Sequence, residues 1–325
     1  MYSESKAADG EHTVVNTGIW IEKPVSEVLY SHLNIPAGDL RFAVTGKCNM
    51  NCYYCHREGC SAENELPFAD IMRIIERSMV YGVRAVRLTG GEPLLHGEVT
   101  RICRELKGRF PGVKLGINTN AILIDKLLEI VNEGLIDCVV VGIDRYDAPI
   151  SKASAVGRPS DEILGNVLKI KKAGCDANIS AVYTGDLGNI EGLAEWCFRN
   201  RIKIKVLEVV DSEVADAPTE AYQRMVNHMI EKYGLSVFYN HTKKQYSAKS
   251  HDGKAISFFH SHCRLRECEV CARLHLRVSC DGDALTCLHP DTPKFSLLDE
   301  SAFEGNILAA LNNLGTPPER CEGKK

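Results

Sequence analysis

Three cysteines lie close together in the segment CNMNCYYC, at Cys48, Cys52 and Cys55. The C-x3-C-x2-C spacing places three thiolates on one loop, where each can bind one iron of a cubane [4Fe-4S] cluster. The fourth iron then has no protein ligand, and an open metal position is where a small molecule binds. An alternative is a zinc knuckle with His56 or Cys60 as fourth ligand, although structural zinc sites favour paired two-residue spacings.

A second group of cysteines lies in the last quarter of the chain. It begins with the C-x2-C pair Cys268 and Cys271, followed by a β-like run and a turn at Asp281 and Gly282. With Cys287 on the return strand, three thiols meet at one end of a hairpin, which suits a second [4Fe-4S] cluster.

Two further cysteines leave the nature of this second group open. Cys263 or Cys280 is available as a fourth ligand, which would give either a structural zinc ribbon or a fully ligated cluster that serves as an electron relay. The surrounding residues are basic and predict an anion-binding surface, such as one for phosphate, in a protein of net charge −4. They are Arg264, Arg266, Arg273, His275 and Arg277.

The elements that must position these groups alternate regularly between residues 39 and 210. Amphipathic helical segments separate the β-rich runs, which read as apolar and therefore predict a parallel sheet covered on both faces. Repeated βαβ units give either an open doubly wound sheet or a full or partial TIM-like barrel. The predicted strands are residues 40–45, 84–89, 114–118, 138–143, 178–183 and 204–210.

Polar residues follow the predicted strands at the edge where parallel strands end. Gly90, Gly91 and Glu92 follow the second strand, and Asn120 and Asp144 follow the third and the fourth. Because ligands of such folds bind beyond the carboxyl ends of the strands, these residues and the first cysteine group are expected to form one site.

The combination of CNMNCYYC after a first strand and LTGGEPLL after a second resembles the radical S-adenosylmethionine (SAM) superfamily. The resemblance implies a partial (β/α)6 TIM-like barrel with a C-terminal auxiliary-cluster extension. It also implies that SAM binds the free iron of the first cluster through its amino and carboxylate groups. One electron from that cluster then cleaves SAM to a 5′-deoxyadenosyl radical.

The resemblance also assigns cofactor-binding roles to residues beyond the cysteines. Gly90, Gly91 and Glu92 stand where the family approaches the amino group of SAM, and Tyr54 stands beside the adenine. Contacts to the ribose and methionine portions of SAM fall to Asn120, Asp144 and Asn178.

The second cysteine group narrows the resemblance to the MoaA type, the GTP 3′,8-cyclases of molybdenum cofactor biosynthesis, over residues 38 to 290. It implies that Cys268, Cys271 and Cys287 hold a second [4Fe-4S] cluster with one open iron, and that the arginines hold a triphosphate. The chain departs from that type in its C-terminal tail, which ends PERCEGKK instead of Gly-Gly, and at Thr184, where a lysine is expected. The resemblance therefore supports radical SAM chemistry more strongly than it supports GTP as the substrate.

The chain divides on this basis into an N-terminal extension (1–37), a radical SAM partial barrel (38–212) and a C-terminal auxiliary-cluster region (213–325). The start of the chain is polar and no run of 18 apolar residues occurs, which predicts a cytoplasmic protein without a membrane partner. The acidic net charge argues against nucleic acid as a partner. The expected partners are a small-molecule substrate such as GTP and a low-potential electron donor of the flavodoxin or ferredoxin type, with a homodimer allowed.

Three functional hypotheses follow. The first is a radical SAM enzyme that abstracts a hydrogen from a nucleotide-like substrate and cyclises or rearranges it. The second keeps the same core but acts on another small molecule, a sugar or a peptide, with the second cluster as electron relay. The third is a non-catalytic zinc or iron-sulfur binding or sensor protein.

Overall fold

The computed structural model describes residues 34–143, 146, 160–209, 219–240, 245–261, 268, 274–288 and 292–316. These residues belong to one compact unit, Asn34–Lys325. Among the helices so described, none has the length and apolar composition that crossing a bilayer requires.

All the described strands join a single sheet, in the order β12-β11-β10-β1-β2-β3-β4-β5-β6-β9-β8-β7. The strands are β1 (Asp39–Thr45), β2 (Ala85–Gly90), β3 (Lys114–Thr119), β4 (Cys138–Gly142), β5 (Asp176–Tyr183), β6 (Lys203–Glu208), β7 (Ser236–Asn240), β8 (Gln245–Lys249), β9 (Ala255–Phe259), β10 (Leu276–Val278), β11 (Asp283–Leu285) and β12 (Lys294–Ser296).

The six predicted parallel strands are β1 to β6, and two more parallel strands flank them. β10 pairs in parallel with β1, and β9 pairs in parallel with β6. The α/β fold and the parallel order are confirmed, and the open sheet is consistent with a partial TIM-like barrel. Strands that come after residue 213 therefore extend both sides of the same sheet.

Helices lie between the parallel strands, as the periodicity predicts. Their apolar faces are buried against the sheet; in α1, for example, Ile71, Ile74 and Ile75 are fully buried. The helices are α1 (Phe68–Ser78), α2 (Val99–Arg109), α3 (Ile124–Asn132), α4 (Ser160–Lys172), α5 (Leu187–Asn200), α6 (Thr219–Tyr233) and α7 (Phe303–Asn312).

The two faces of the sheet differ, which corrects the expectation that both are apolar and covered. In β1, Leu40 and Phe42 are fully buried, whereas Arg41 between them is half-exposed; β2, β5 and β6 alternate in the same way. Successive side chains of a strand point to opposite faces, so one face packs under the helices and the other carries polar side chains. We call the half-exposed face the inner face, and we expect it to receive ligand.

The hairpin predicted around the second cysteine group is present. β10 and β11 pair antiparallel, and Gly282 in the turn has φ +80°, a conformation that glycine adopts without strain. Cys287 is not on the return strand, because β11 ends at Leu285.

Candidate active site

The first cysteine group lies on the segment between β1 and α1, residues 46–67, which we call the cysteine loop. The loop is closed at its base, where Gly46 N donates to Asn64 O (2.7 Å) and Leu66 N donates to Val44 O (3.1 Å). It therefore leaves the carboxyl end of β1 and returns to it, which keeps its cysteines beside the edge of the sheet where the predicted site lies.

The three cysteines are accessible and not disulfide-bonded. Cys48 and Cys55 are exposed and Cys52 is half-buried. Backbone amides of Met50 and Arg57 donate to the sulfurs of Cys48 (3.4 Å) and Cys55 (3.3 Å). Burial raises the pKa of both thiols and these amides partly oppose the shift. Hydrogen bonds from backbone amides to the ligand sulfurs are typical of iron-sulfur clusters, whose reduction potential they tune.

The zinc-knuckle alternative gains no support from the geometry. The Nδ1 atom of His56 accepts from Glu58 N (3.1 Å), and the sulfur of Cys60 accepts from Cys280 N (3.0 Å). Within the described ranges, no three His, Cys, Asp or Glu side chains are arranged to hold one metal ion.

Gly90 and Gly91 let the end of β2 pass directly against the cysteine loop. A Cβ atom on Gly90, whose φ is +138°, would lie 2.2 Å from Thr45 O, and one on Gly91 would lie 2.1 Å from Lys47 O. The two segments are joined by hydrogen bonds from Gly91 N to Thr45 O (2.7 Å) and from Glu92 N to Lys47 O (2.8 Å). Glycine is therefore required at both positions by the close approach of two backbones, independently of the predicted role of these residues in binding SAM.

Glu92 joins the carboxyl ends of β2 and β3. It is 1% exposed and accepts from Leu94 N (3.1 Å), Thr119 Oγ1 (2.7 Å) and Asn120 N (2.8 Å). Burial raises the pKa of this carboxyl, and the three donors oppose the shift. Since a carboxylate offers about four acceptor positions, about one remains for a ligand.

Asn120 extends this connection to the cysteine loop. Its Nδ2 donates to Asn49 Oδ1 (2.7 Å), and Asn49 stands next to Cys48. Tyr54, also on the loop, is half-buried and packs edge-on against Tyr53, with ring centroids 5.1 Å apart. The structure thus gathers the predicted residues of β1, β2 and β3 at one edge of the sheet.

Two predicted SAM contacts are not part of this arrangement. Asn178 is the third residue of β5, near its amino end, and its Nδ2 donates to the sulfur of Cys138 (3.3 Å) at the start of β4. It therefore lies towards the opposite edge of the sheet from the cysteine loop, and its assignment to the strand end is wrong. Asp144 lies outside the described residues.

Three arginines form a row on the inner face that the sequence analysis missed in part. Arg41 of β1 is in register with Arg87 of β2 on one side and with Arg277 of β10 on the other. Gly116 is the next residue of the row, and a Cβ there would lie 3.4 Å from Arg87 Nη1, so the glycine leaves room for the guanidinium. Like charges directly opposite each other on a sheet destabilise it unless negative charge lies nearby.

Glu58 of the cysteine loop reaches this arginine row. It is ion-paired with Arg277, and a second interaction, 3.9 Å, joins it to Arg41. Burial alone would raise the pKa of Glu58, but the two arginines, with smaller contributions from His56 and His275, hold it well below its usual range.

Lys205 of β6 adds a fourth cation to the inner face. Burial first, then Arg41, Arg87 and Arg277, lower its pKa to about 8. Its ammonium group lies 4.9 Å from the ring centroid of Phe259 on β9. The contribution of the three arginines to this lowered pKa indicates that Lys205 lies on the same face as the arginine row.

The sequence contains a repeated pattern that predicts this group of cations. The basic residue stands between two apolar residues in each of four strands, as LRF (40–42), VRL (86–88), IKV (204–206) and LRV (276–278). Because side chains alternate across a strand, each triplet places one cation on the face opposite the core.

The structure describes only part of the second cysteine group. Cys268 and Cys287 are half-buried, and His275 has its pKa lowered well below the usual value by burial and by Arg277 and Arg41. Cys263, Arg264, Arg266, Cys271 and Arg273 lie outside the described residues. Of the predicted anion-binding group, His275 and Arg277 are therefore the two whose surroundings the structure gives.

Cys280, one of the two predicted candidates for a fourth cluster ligand, contacts the cysteine loop. It is 2% exposed, its backbone amide donates to the sulfur of Cys60, and its own thiol faces Ser61 O (3.6 Å). The β10–β11 hairpin is thereby held against the cysteine loop.

The chain matches a known family and a set of curated relatives. Residues 42–197 match the model of the radical SAM superfamily. A probable GTP 3′,8-cyclase of Methanococcus aeolicus is 24% identical over 78% of this chain and 85% of its own length. The GTP 3′,8-cyclase of Sulfurovum sp. is 25% identical over 85% of this chain and 86% of its own length.

Solved structures support the fold. Streptococcus suis SuiB bound to the precursor peptide SuiA superposes with a TM-score of 0.65 and 19% identity, covering 93% of this chain and 73% of that one. The enzyme anSMEcpe with bound AdoMet superposes with a TM-score of 0.61 and 13% identity, covering 85% and 82%.

The match to the radical SAM model and the relatives named GTP 3′,8-cyclase indicate an enzyme, which argues against the third hypothesis, a non-catalytic binding or sensor protein. The family implies a [4Fe-4S] cluster and SAM, and the three accessible thiols of C-x3-C-x2-C fit the cluster chemically. Residues 42–197 of the chain therefore match a radical SAM domain, and this match together with the GTP 3′,8-cyclase relatives indicates an enzyme.

Proposed function

We propose that the enzyme acts on a polyanionic, nucleotide-like small molecule, from which a hydrogen atom is abstracted before cyclisation or rearrangement, as in a GTP 3′,8-cyclase. The observation that carries this proposal is the arginine row of Arg277, Arg41 and Arg87, with Lys205 beside it. The relatives that bear the name GTP 3′,8-cyclase supply the chemical class.

The cation group needs more negative charge than its neighbours provide. Within the described ranges, neither Arg87 nor Lys205 has a carboxylate at ion-pair distance, and Glu58 serves Arg277 and Arg41. In the same ranges, Arg41 Nε and Asn118 Oδ1 are buried without a hydrogen-bond partner. Buried charges and polar atoms left unpaired are costly, and a bound phosphate chain would satisfy them.

The radical-generating half of the site would be held by the cysteine loop and the ends of β2 and β3. Cys48, Cys52 and Cys55 would bind the first cluster; Gly90, Gly91, Glu92, Asn120 and Tyr54 would surround SAM. When bound, cluster and SAM supply a 5′-deoxyadenosyl radical. Arg41 lies four residues before Thr45, or about 13 Å along β1 at a rise of about 3.3 Å per residue. A substrate anchored on the row would thus extend towards the strand ends, where the radical forms.

A second [4Fe-4S] cluster on Cys268, Cys271 and Cys287 is part of the proposal. An open iron on it would bind the substrate base, with Arg264, Arg266, Arg273 and His275 adding positive charge. If Cys263 completes the ligand set instead, the cluster would relay electrons. Cys280 is the weaker candidate for a fourth ligand because its thiol is buried against Ser61. A flavodoxin- or ferredoxin-type donor, a cytoplasmic location and a homodimer remain predictions.

An iron count tests the number of clusters. The reconstituted wild type is expected to contain about eight irons per chain, and Cys287→Ser about four. Cys48→Ser should also lose about four irons but abolish SAM cleavage, which Cys287→Ser should not. A wild-type count of about four would contradict the second cluster.

A peptide is the second candidate substrate, because two of the structural neighbours were solved with peptides, SuiB with SuiA and anSMEcpe with the peptide Cp18Cys. The cation group would then favour an acidic peptide.

The decisive experiment measures 5′-deoxyadenosine formation by mass spectrometry with the reconstituted enzyme, SAM and dithionite, in the presence of GTP, ATP, guanosine or an acidic peptide. Stimulation by GTP but not by guanosine, with a new nucleotide product, is the expected result. Arg87→Gln should lose this stimulation, whereas Arg101→Gln, on the exposed surface of α2, should keep it. Stimulation by the peptide alone would overturn the nucleotide proposal in favour of the second candidate.

A further inference from the structure

Cys60 and Cys280 form a pair of thiols that the proposed function does not use. Although 220 positions separate them in the sequence, Cys280 N donates to the sulfur of Cys60 at 3.0 Å, and the thiol of Cys280 lies 3.6 Å from the carbonyl oxygen of Ser61, the residue after Cys60. Neither residue is among the predicted ligands Cys48, Cys52 and Cys55 of the first cluster.

The backbones on both sides of the pair are fixed. Two residues before Cys60, Glu58 is ion-paired with Arg277, and one residue after it, Ser61 is hydrogen-bonded to Asp281. Contacts at successive positions hold the two chain segments in register, so that the thiols remain neighbours instead of meeting by chance.

The geometry allows a bond between the sulfurs with little rearrangement. The sulfur of Cys60 lies 3.0 Å from the backbone nitrogen of Cys280, and an N–Cα bond is only about 1.46 Å long. The thiol of Cys280 points to the carbonyl of Ser61, the residue that follows Cys60. The sulfur of Cys60 is therefore within about 4.5 Å of the Cα atom of Cys280, close enough for a change of side-chain rotamer to be tested as the route to a disulfide.

We propose that Cys60 and Cys280 are an oxidisable dithiol, a modification site at which a peroxide closes a disulfide between the cysteine loop and the β10–β11 hairpin. Hydrogen peroxide would oxidise the half-buried Cys60 to a sulfenic acid and release one water. The buried Cys280 would then attack that sulfur and release a second water. Two S–H bonds and the O–O bond break, one S–S bond forms, and the two electrons pass from sulfur to peroxide.

The surroundings of Cys60 and Cys280 determine how fast the two thiols are oxidised. The neighbouring side chain of Cys280 and then burial raise the pKa of Cys60, against the opposing effect of the Cys280 amide, so the thiol is largely protonated at neutral pH. Oxidation is therefore slow near neutrality and accelerates as the pH rises. Because this oxidation is slow, both thiols are expected to stay reduced in an anaerobic buffer and to form the disulfide only when peroxide is present for a long time.

The disulfide would preserve the loop when its cluster is lost. Peroxide also attacks iron-sulfur clusters, which removes the metal that ties Cys48, Cys52 and Cys55 together. A covalent link at Cys60 restrains the loop in the absence of that metal, as a cross-link between distant residues restrains the unfolded chain. The proposal is independent of the substrate.

Peptide mapping of the reconstituted enzyme tests it. The protein is treated with hydrogen peroxide, alkylated after denaturation, digested without reductant and analysed by mass spectrometry. The expected product is one cross-linked peptide pair that contains Cys60 and Cys280, two hydrogen atoms lighter than the sum of its parts and reversed by dithiothreitol. Its rate of formation should rise from pH 7 to pH 9.

Two variants and one internal control make the result unambiguous. Cys280→Ser should give no cross-link and should accumulate Cys60 as sulfinic acid. The triple variant Cys48→Ala, Cys52→Ala, Cys55→Ala removes the competing thiols and should still form the link. The buried Cys103, far along the chain in α2, should stay alkylatable throughout. Recovery of Cys60 and Cys280 as free thiols in the triple variant, or pairing of either with another cysteine, overturns the proposal.

Discussion

Ser61 and Asp281 are joined by two hydrogen bonds across 220 residues of sequence, from the backbone amide and the hydroxyl of Ser61 to Asp281 Oδ2, each 3.2 Å long. The other carboxylate oxygen of Asp281 accepts from Asn64 Nδ2. The turn of the β10–β11 hairpin is thus joined to the segment that follows the first three cysteines, residues 61–64 of the cysteine loop.

Replacing Asp281 should loosen the cysteine loop. Asp281→Ala removes three acceptor contacts, and hydrogen bonds to a charged group contribute about 1.5–3 kcal/mol each when well formed, less where water competes. We expect the free energy of unfolding to fall by about 1–3 kcal/mol and proteolysis within residues 46–67 to accelerate. The matched control is Asp252→Ala, in the exposed turn between β8 and β9, which should leave the loop protected. Equal protection in both variants would contradict the coupling.

The ion pair of Glu58 with Arg277 should make stability depend on acidic pH. The pKa of Glu58 in the folded protein lies well below the ordinary 4.5, so its contribution is fully present above that value and declines as the pH falls towards the folded pKa. Glu58→Gln should cost up to about 3 kcal/mol at pH 7, where it leaves Arg277 and Arg41 without their carboxylate. Urea unfolding at a series of pH values should show this difference shrinking below about pH 4.5. A difference that stays constant down to pH 3 would be inconsistent with the ion pair.

Gly91→Ala should disrupt the junction between β2 and the cysteine loop. The new Cβ would lie 2.1 Å from Lys47 O and 2.6 Å from Gly46 O, both backbone atoms that cannot turn away. We expect loss of soluble folded protein or of iron binding to Cys48, Cys52 and Cys55. Gly108→Ala in helix α2 is the control, since nothing lies within 4 Å of its Cβ position and alanine favours a helix by about 0.5–1 kcal/mol. Normal iron content in Gly91→Ala would show that the junction can yield.

Lys205 should make anion binding depend on pH near 8. With its pKa at about 8, Lys205 carries its charge below that pH and loses it above, so the affinity of the free enzyme for inorganic triphosphate should fall as the pH rises through 8. Lys205→Arg, whose side chain stays charged, should bind triphosphate with no such step. Titration calorimetry at pH 7 and pH 9 measures this, with Lys171→Arg on the surface of α4 as the control. An identical pH dependence in Lys205→Arg would remove Lys205 from the anion site.

Local patterns in the sequence determined much of the fold and one half of the site. The six βα units follow from periodicity because a helix or strand that buries one face must repeat its apolar residues at 3.6 or 2 positions. The cysteine spacing and the residues after β2 and β3 follow from the rule that parallel strands end at one edge. Glu92 and Asn120 meet there as expected, since they come two residues and one residue after their strands end.

Only the tertiary structure decided the contacts that depend on which strands are neighbours. The row of Arg41, Arg87 and Arg277 exists because β10 returns to pair with β1, and no local pattern states that two strands more than two hundred residues apart are in register. The placement of Asn178 at the carboxyl edge was wrong for a simpler reason: Asn178 is the first residue of the predicted strand 178–183 and the third residue of β5, so it lies near the amino end in both. Register and long-range pairing are set by the packing of the whole sheet, so they are read from the structure and not from the spacing of residues.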